Sequence, residues 1–246
     1  MATFKNLSEP LRFSALSALG RSPNAYLLMA RRFGSRPETV IAPDTELCIE
    51  APPGSGNSFF VQAFTLANPG LRIAHHHHMS AQVVAAVRLG VPTLVILRDP
   101  IDCVLARVPA TDELKMIGPN LRMWLSFWTR VEPVLERIAR VRFQDMVTNP
   151  EAAIDLINRT YSTTFKSTLP SSDAVFEIMH EHRRSSTMPG ETLHPHPNVP
   201  DPAKAARKRE VRPHVLAHRL ATPAQELYHR LLGNFPSLPF SGEAPL

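Results

Sequence analysis

The amino-acid sequence predicts an α/β fold of three layers, with a central parallel sheet flanked by helices. From residue 45 onward, apolar runs of about five residues alternate with segments of helical periodicity, which is typical of parallel strands joined by crossover helices. In residues 47–60 a buried strand, a glycine-containing turn and a helix start follow one another directly. Such a turn binds phosphate at a helix N-terminus, so the fold is predicted to be of the P-loop type.

The individual elements follow from these periods in chain order. Two short amphipathic helices are expected within residues 8–33, beginning near Ser8 and near Ser22. Strands are expected at 46–51, 71–75, 93–97 and 140–143, and the third is apolar throughout, as in a strand covered on both faces. Helices are expected at 57–67, 80–89, 100–108, 120–138, 150–161, 171–184, 203–219 and 223–232.

Length and composition predict how these elements are organised. The chain has 246 residues and is 43% hydrophobic, which suits one α/β domain with a substantial core. Residues 1–40 are expected to form a helical cover over the sheet. Residues 186–202 contain six prolines or glycines and are predicted to be a loop or lid, followed by C-terminal helices and a tail in 203–246.

Charge, cysteine content and hydropathy limit the partners and the location. Lys and Arg number 27 against 22 Asp and Glu, which suits an anionic ligand but is too mild to indicate nucleic acid. Cys48 and Cys103 are the two cysteines, so no disulfide framework is expected and a reducing cytoplasm fits. No apolar run approaches the roughly 20 residues of a membrane span. We therefore expect a cytoplasmic protein without integral membrane association.

The turn after the first predicted strand has the composition of an anion-binding loop. Gly54 and Gly56 allow the backbone to approach an anion, and Asn57 and Ser58 add side-chain donors. Asn57 stands where the pattern of nucleoside triphosphatases has a lysine. This substitution weakens the interpretation of the chain as an ATPase.

The third predicted strand delivers charged residues to its carboxyl end, where ligands of open α/β sheets bind. Arg98 follows the strand directly and is suited to a fork-like contact with a second phosphate. Asp99 offers an alternative interpretation, in which its carboxylate holds Mg²⁺ for nucleotide-dependent phosphoryl transfer. That alternative lacks the lysine it would need at position 57.

Four consecutive histidines, residues 75–78, follow the second predicted strand. Histidine titrates in the range required of a general base. In an extended segment, His76 and His78 would lie on one side and His75 and His77 on the other. A metal site is the alternative, but no His, Cys, Asp or Glu cluster elsewhere in the sequence clearly supplies further ligands, and no metal is predicted.

Two segments of the chain resemble motifs of the sulfotransferases that use 3′-phosphoadenosine-5′-phosphosulfate (PAPS). Residues 53–59 are similar to the 5′-phosphosulfate loop of that family, and residues 98–106 to its 3′-phosphate motif. The resemblance implies that residues 55–58 bind the 5′ end of the donor, that Phe59 lies near the adenine and that Arg98 binds the 3′-phosphate. The donor-binding residues taken from the first motif are Gly54, Ser55, Gly56, Asn57, Ser58 and Phe59.

The chain departs from the family pattern at two positions. Gly54 stands where the family has a basic residue, and Ala106 where it has a serine. Activity would then require a substitute cation, for which Arg107, Arg72 and a C-terminal basic cluster are candidates. This cluster is similar to the basic segment that completes the 3′-phosphate site of the family, and it consists of Arg207, Lys208 and Arg209.

The resemblance also implies a general base at the end of the second strand. Alignment with that strand of the family indicates His77, and a shift of one residue indicates His76. The expected activity is sulfuryl transfer from PAPS to a hydroxyl or amine of a small-molecule, glycan or lipid acceptor, without a metal. The alternatives are a nucleotide-binding protein without catalysis and a Mg²⁺-dependent phosphotransferase or nucleoside triphosphatase.

Overall fold

The protein forms a three-layer α/β fold in a computed structural model that describes residues 22–34, 36–107, 113–186 and 202–238. In these residues four parallel strands make one sheet in the order β2-β1-β3-β4, and helices pack on both faces. This confirms the predicted fold class. The strands are β1 (Leu47–Glu50), β2 (Ile73–His75), β3 (Thr93–Leu97) and β4 (Ala139–Arg142).

Helices connect and cover the strands. The α-helices of the described residues are α1 (Pro23–Phe33), α2 (Asn57–Ala67), α3 (Ser80–Leu89), α4 (Pro100–Ala106), α5 (Glu113–Val131), α6 (Phe143–Thr148), α7 (Pro150–Tyr161), α8 (Ser172–Ser186), α9 (Pro202–Leu216) and α10 (Ala221–Leu232). Short 3₁₀ helices occupy Pro37–Thr39 and Glu132–Arg137. The predicted bounds of α2, α3 and α7 are confirmed.

The order of the strands defines where a ligand can bind. β1 pairs with β2 on one side, with Leu47 opposite Ile73, and with β3 on the other, with Cys48 opposite Thr93. The chain therefore adds strands first to one side of β1 and then to the other. In open α/β sheets the crevice at such a switch point, outside the carboxyl ends of the strands, is the ligand site.

The core fills both faces of the sheet. In β3, Leu94 and Ile96 pack with residues of α2 and α7, whereas Val95 and Leu97 pack with residues of α5 and α10. All four side chains are buried, which explains the continuous apolar run of this strand. The tryptophans of α5, Trp124 and Trp128, are also buried in the core, as their helical spacing predicted.

Some predicted elements differ from the structure. The helix expected at 120–138 instead spans Glu113–Val131, because Ile117 extends its buried stripe towards the N-terminus and Pro133 lies in the 3₁₀ helix that follows. Helix α6 was not predicted. The helix expected near Ser8, most of the proline-rich segment and the end of the tail lie outside the described residues. In the described ranges no helix has the length and apolarity needed to cross a membrane.

Candidate functional site

The loop between β1 and α2, residues 51–56, forms one wall of the crevice at the switch point. Gly54 and Gly56 both have left-handed backbone conformations, with φ of 84° and 87°. Gly56 is the N-cap of α2 and provides no side-chain cap. The N–H groups of the first helical turn have no acceptor within a helix and lie at the positive end of its dipole. The β1–α2 loop therefore ends in an anion-binding geometry.

Arg98 joins the two sides of the crevice. Its Nη1 donates a hydrogen bond of 2.7 Å to the carbonyl oxygen of Gly54. The guanidinium carbon lies 3.9 Å from the centre of the Phe143 ring, and such stacking is favourable for arginine. The predicted proximity of Arg98 to the loop is thus present in the structure, with the side chain half-buried at the carboxyl edge of the sheet.

Asn57 carries unsatisfied hydrogen-bonding groups beside the loop. Its side chain is 3% exposed, and neither Nδ2 nor Oδ1 has a partner among the described residues. Each unpaired buried group costs about 1–3 kcal/mol. A ligand or water that paired with this amide would recover that energy, which supports a binding role for the start of α2.

Two other residues of the predicted donor site face the protein interior. The hydroxyl of Ser55 lies 3.3 Å from the sulfur of Cys103, so this side chain fastens the loop to α4. The ring of Phe59 packs against Phe176 of α8 with centroids 5.3 Å apart and is 8% exposed. Core packing therefore accounts for both side chains.

Within the histidine segment, residues 75–78, the strand ends at His75 and residues 76–78 form a tight turn instead of continuing the extended chain. His76 and His78 have φ of 60° and 56°, a conformation in which histidine is enriched but which is uncommon outside glycine. The carboxyl group of Glu50, fully buried at the end of β1, accepts hydrogen bonds from the N–H groups of His77 at 2.9 Å and His78 at 2.8 Å. These bonds hold the turn against β1.

The four imidazoles have different partners. Nε2 of His76 lies 2.9 Å from the hydroxyl of Ser58. His77 instead hydrogen-bonds through both ring nitrogens, to the Tyr26 hydroxyl at 2.8 Å and to the Thr39 hydroxyl at 3.0 Å. The contacts distinguish the two candidate bases by their partners, because His77 is bonded to the N-terminal segment and His76 to the first turn of α2.

The remaining two histidines also have defined contacts. His78 donates from Nδ1 to the carbonyl oxygen of Ala51 at 2.8 Å, and His75 hydrogen-bonds through Nδ1 to Nδ1 of His76. His76 and His78 both contact the segment after β1, whereas His77 faces the N-terminal segment. The predicted separation of sides therefore holds for these three residues, although the backbone is not extended.

Burial keeps the histidines neutral. It lowers the pKa of His76 to about 4 and those of His75 and His78 to about 3, and the charge of Arg36 lowers the pKa values of His75 and His76 further. For Glu50, burial raises the pKa to about 8, while its hydrogen bonds from His77, His78, Gln82 and Ala51 act in the opposite direction. The site thus contains an uncharged base at neutral pH.

The basic residues proposed from the sequence occupy different places. Lys208 is half-buried, and its pKa is lowered by burial and by the nearby charge of Arg98. Arg207 is exposed and pairs with Glu210 at 2.6 Å, and Arg209 is exposed. Within the C-terminal cluster, Lys208 therefore lies close enough to Arg98 for the charge of Arg98 to lower its pKa.

Arg107 and Arg72 lie on different edges of the sheet. The charge of Arg107 lowers the pKa of His78, which places this arginine near the histidine segment. Arg72 precedes β2 and forms an ion pair of 2.9 Å with Asp44. It therefore lies at the amino edge of the sheet and does not replace the cation missing at Gly54.

Asp99 has a structural function that does not require Mg²⁺. Its Oδ1 accepts hydrogen bonds from the N–H groups of Ile101 and Asp102 and caps α4. Within the described ranges, no group of three or more His, Cys, Asp or Glu side chains is arranged to hold a metal ion.

Sequence reasoning did not identify several residues that shape this site. Glu50 appears in the sequence only as the polar end of a strand, Arg36 as an isolated arginine in a loop, and Tyr26 and Thr39 as ordinary residues of the N-terminal cover. A carboxylate ending an apolar strand beside an anion-binding loop is the one local signal that could have drawn attention to Glu50.

Comparisons with protein-family models, curated proteins and solved structures found no match for this chain.

Proposed function

We propose that the protein is a PAPS-dependent sulfotransferase and that His76 is its general base. The observation that carries this proposal is the 2.9 Å contact between His76 Nε2 and the Ser58 hydroxyl. It brings a neutral base to the N-terminus of a helix whose N–H groups are suited to an anion. The motif resemblance at residues 53–59 and 98–106 supports a phosphosulfate as this anion.

The donor is bound across the crevice between β1 and β3. The N–H groups at the start of α2 and the amide of Asn57 bind the 5′-phosphosulfate, and Arg98 with Lys208 binds the 3′-phosphate. Two observations support this division. Asn57 has unpaired polar atoms, and the pKa of Lys208 is lowered by burial and by the nearby positive charge of Arg98. An anion between two such cations relieves their repulsion.

The acceptor reacts on the histidine side of the loop. Its hydroxyl or amine attacks the sulfur in line, His76 Nε2 takes the proton, and the bond from sulfur to the 5′-phosphate oxygen breaks. The leaving group, adenosine 3′,5′-bisphosphate, keeps the bonding electron pair as an additional negative charge. The N–H groups at the start of α2 and the amide of Asn57 stabilise that charge.

A cation near the transferring group must come from outside the β1–α2 loop. Gly54 has φ of 84°, and a Cβ at this position would overlap the carbonyl oxygen of Cys103. Arg36 and Arg107 are the candidates, because the charge of each acts on the histidine segment. Arg36 acts on His76 itself, and Arg107 acts on His78.

Transfer of ³⁵S-labelled sulfate from PAPS to a panel of phenols, aliphatic alcohols and amines tests this function. We expect labelled product from the wild-type protein and a loss of about 10²- to 10⁴-fold in His76→Ala, the range for removal of a general base. Transfer that is equal in His76→Ala and wild type would refute the role of His76. Binding of the donor without transfer to any acceptor would favour the non-catalytic alternative.

A further inference from the structure

His76 has a hydrogen-bond partner on each nitrogen. Nε2 contacts the Ser58 hydroxyl at 2.9 Å, and Nδ1 contacts Nδ1 of His75. The rings of His75 and His76 are 4.7 Å apart and nearly perpendicular, at 80°. The three side chains therefore form a continuous row from β2 to the start of α2.

The position of Ser58 favours one direction for the hydrogen bond between Ser58 and His76. Ser58 is the second residue of α2 and therefore lies at the positive end of the helix dipole. A hydroxyl at this end is oriented most favourably with its oxygen towards the N–H groups and its proton away from them. The proton then points to His76, and Nε2 is the acceptor.

The neutral state of His76 determines the direction of the second hydrogen bond. A neutral imidazole carries one N–H group, so a ring that accepts at Nε2 is protonated at Nδ1. That N–H donates to Nδ1 of His75, which must be unprotonated. The lowered pKa values of both histidines agree with two neutral rings at pH 7.

His75 is better anchored than His76. It lies in β2 and pairs with Ile49 of β1, whereas His76 begins the tight turn with a positive φ. The ladder of backbone hydrogen bonds fixes the His75 backbone and thereby limits where its ring can lie. Its Nδ1 provides a fixed acceptor for a side chain on a strained backbone.

We infer that His75 is a positioning residue that holds His76 in the tautomer protonated at Nδ1, so that the Nε2 lone pair faces the reacting groups. The catalytic meaning of this inference rests on the proposed function. The tautomer itself does not, because it concerns the contacts of Ser58, His76 and His75 within the protein and involves no ligand. In the arrangement of Ser58, His76 and His75, His76 is thus the base and His75 orients it.

Nuclear magnetic resonance of ¹⁵N-histidine-labelled protein at pH 7 measures the tautomer directly. The signals of His76 are assigned by their absence in His76→Gln. We expect Nδ1 of His76 to be protonated and Nε2 to be unprotonated, and His75→Leu to shift the ring towards a mixture of tautomers. A wild-type His76 protonated at Nε2 would overturn the inference, whether or not sulfate transfer is detected.

Two substitutions at His75 separate orientation from packing. Asparagine places its Oδ1 where the histidine has Nδ1 and can still accept from His76, whereas leucine removes the acceptor. We expect His75→Leu to lower kcat at least about tenfold with little change in the KM for PAPS, and His75→Asn to restore most of kcat. Equal kcat in the leucine and asparagine variants, with both folded by circular dichroism, would contradict the inference.

Discussion

Nε2 of His76 lies 2.9 Å from the hydroxyl of Ser58, which joins the histidine segment to the first turn of α2. His77, the next residue, is engaged on both ring nitrogens by Tyr26 and Thr39. Two adjacent histidines therefore have separate tasks. His76 contacts the start of α2, and His77 contacts the N-terminal segment.

This division predicts different consequences for the two histidines. We expect His76→Ala to lower kcat about 10²- to 10⁴-fold while the melting temperature changes little. His77→Ala should instead lower the free energy of unfolding by about 1–3 kcal/mol, because it removes the His77 partner of the buried Tyr26 hydroxyl and one of the two hydrogen bonds of the Thr39 hydroxyl. Steady-state kinetics and chemical denaturation of both variants measure the difference. The reverse pattern would assign the base to His77.

Restoring the basic residue of the sulfotransferase motif at Gly54 is predicted to fail. Gly54→Ala combines the cost of a positive φ, about 1–2 kcal/mol, with overlap between its Cβ and the Cys103 backbone. Gly54→Lys carries the same Cβ and should not increase donor affinity. Denaturation curves give the free energy of unfolding of each variant.

Gly70→Ala is the matched control for Gly54→Ala. Gly70 has φ of 86°, and no heavy atom of the described residues lies within 4 Å of the place that its Cβ would occupy. We expect Gly70→Ala to show the cost of the positive φ alone. Gly54→Ala should therefore be more destabilising by about 1–3 kcal/mol. Equal destabilisation in the two variants would show that the β1–α2 loop can shift away from α4.

Lys208 is predicted to contribute to donor binding through its charge. Lys208→Met should weaken binding of adenosine 3′,5′-bisphosphate and reduce the salt dependence of that binding, because Lys208 is the C-terminal cation coupled to Arg98. Arg88→Met removes an equal charge from the exposed C-terminal end of α3, at the amino edge of the sheet. Equal weakening by both substitutions would indicate a general charge effect rather than a contact in the crevice.

The buried histidines predict a steep dependence of stability on pH. Between about pH 4 and pH 6.5 the unfolded chain binds protons at His75, His76 and His78 that the native state excludes, so their contribution to stability rises with pH and is complete above 6.5. Glu50 acts oppositely, because its raised pKa makes the native state retain a proton between about 4.5 and 8. For His75, His76, His78 and Glu50 together, the slope near pH 5.5 is about 2–3 kcal/mol per pH unit.

Urea denaturation between pH 4.5 and pH 7 measures this slope. His78→Asn serves as the comparison, because the asparagine amide can still donate to Ala51 while one titrating group is removed. We expect the slope of this variant to be smaller by about 1.4 kcal/mol per pH unit. An unchanged slope would mean that His78 is protonated in the native state.

The sequence predicts those parts of the fold that short-range patterns determine. The five-residue apolar strand β3 and helix α3, which ends at the left-handed Gly90, both have the bounds expected from the sequence. The short helix α6 was missed because six residues give little periodicity. Helix α5 begins earlier than expected: Pro119 lies inside the helix, and Ile117 on its N-terminal side is buried in the core.

The candidate site was predictable in its location but not in its contacts. Arg98 and the β1–α2 loop meet because both follow strands that are neighbours in a parallel sheet. The choice between His76 and His77 depends on a backbone reversal at His76 and on Tyr26, which lies 51 residues earlier in the chain than His77. Neither feature leaves a local pattern in the sequence.

Isothermal titration calorimetry with adenosine 3′,5′-bisphosphate, with ATP and with ATP plus Mg²⁺ tests the central proposal most directly. We predict that the bisphosphate binds without Mg²⁺, that Arg98→Ala weakens its affinity roughly 10- to 100-fold, and that His76→Ala leaves it within a few-fold of wild type. Binding of the ATP–Mg²⁺ complex alone, with no heat from the bisphosphate, would contradict the assignment as a sulfotransferase.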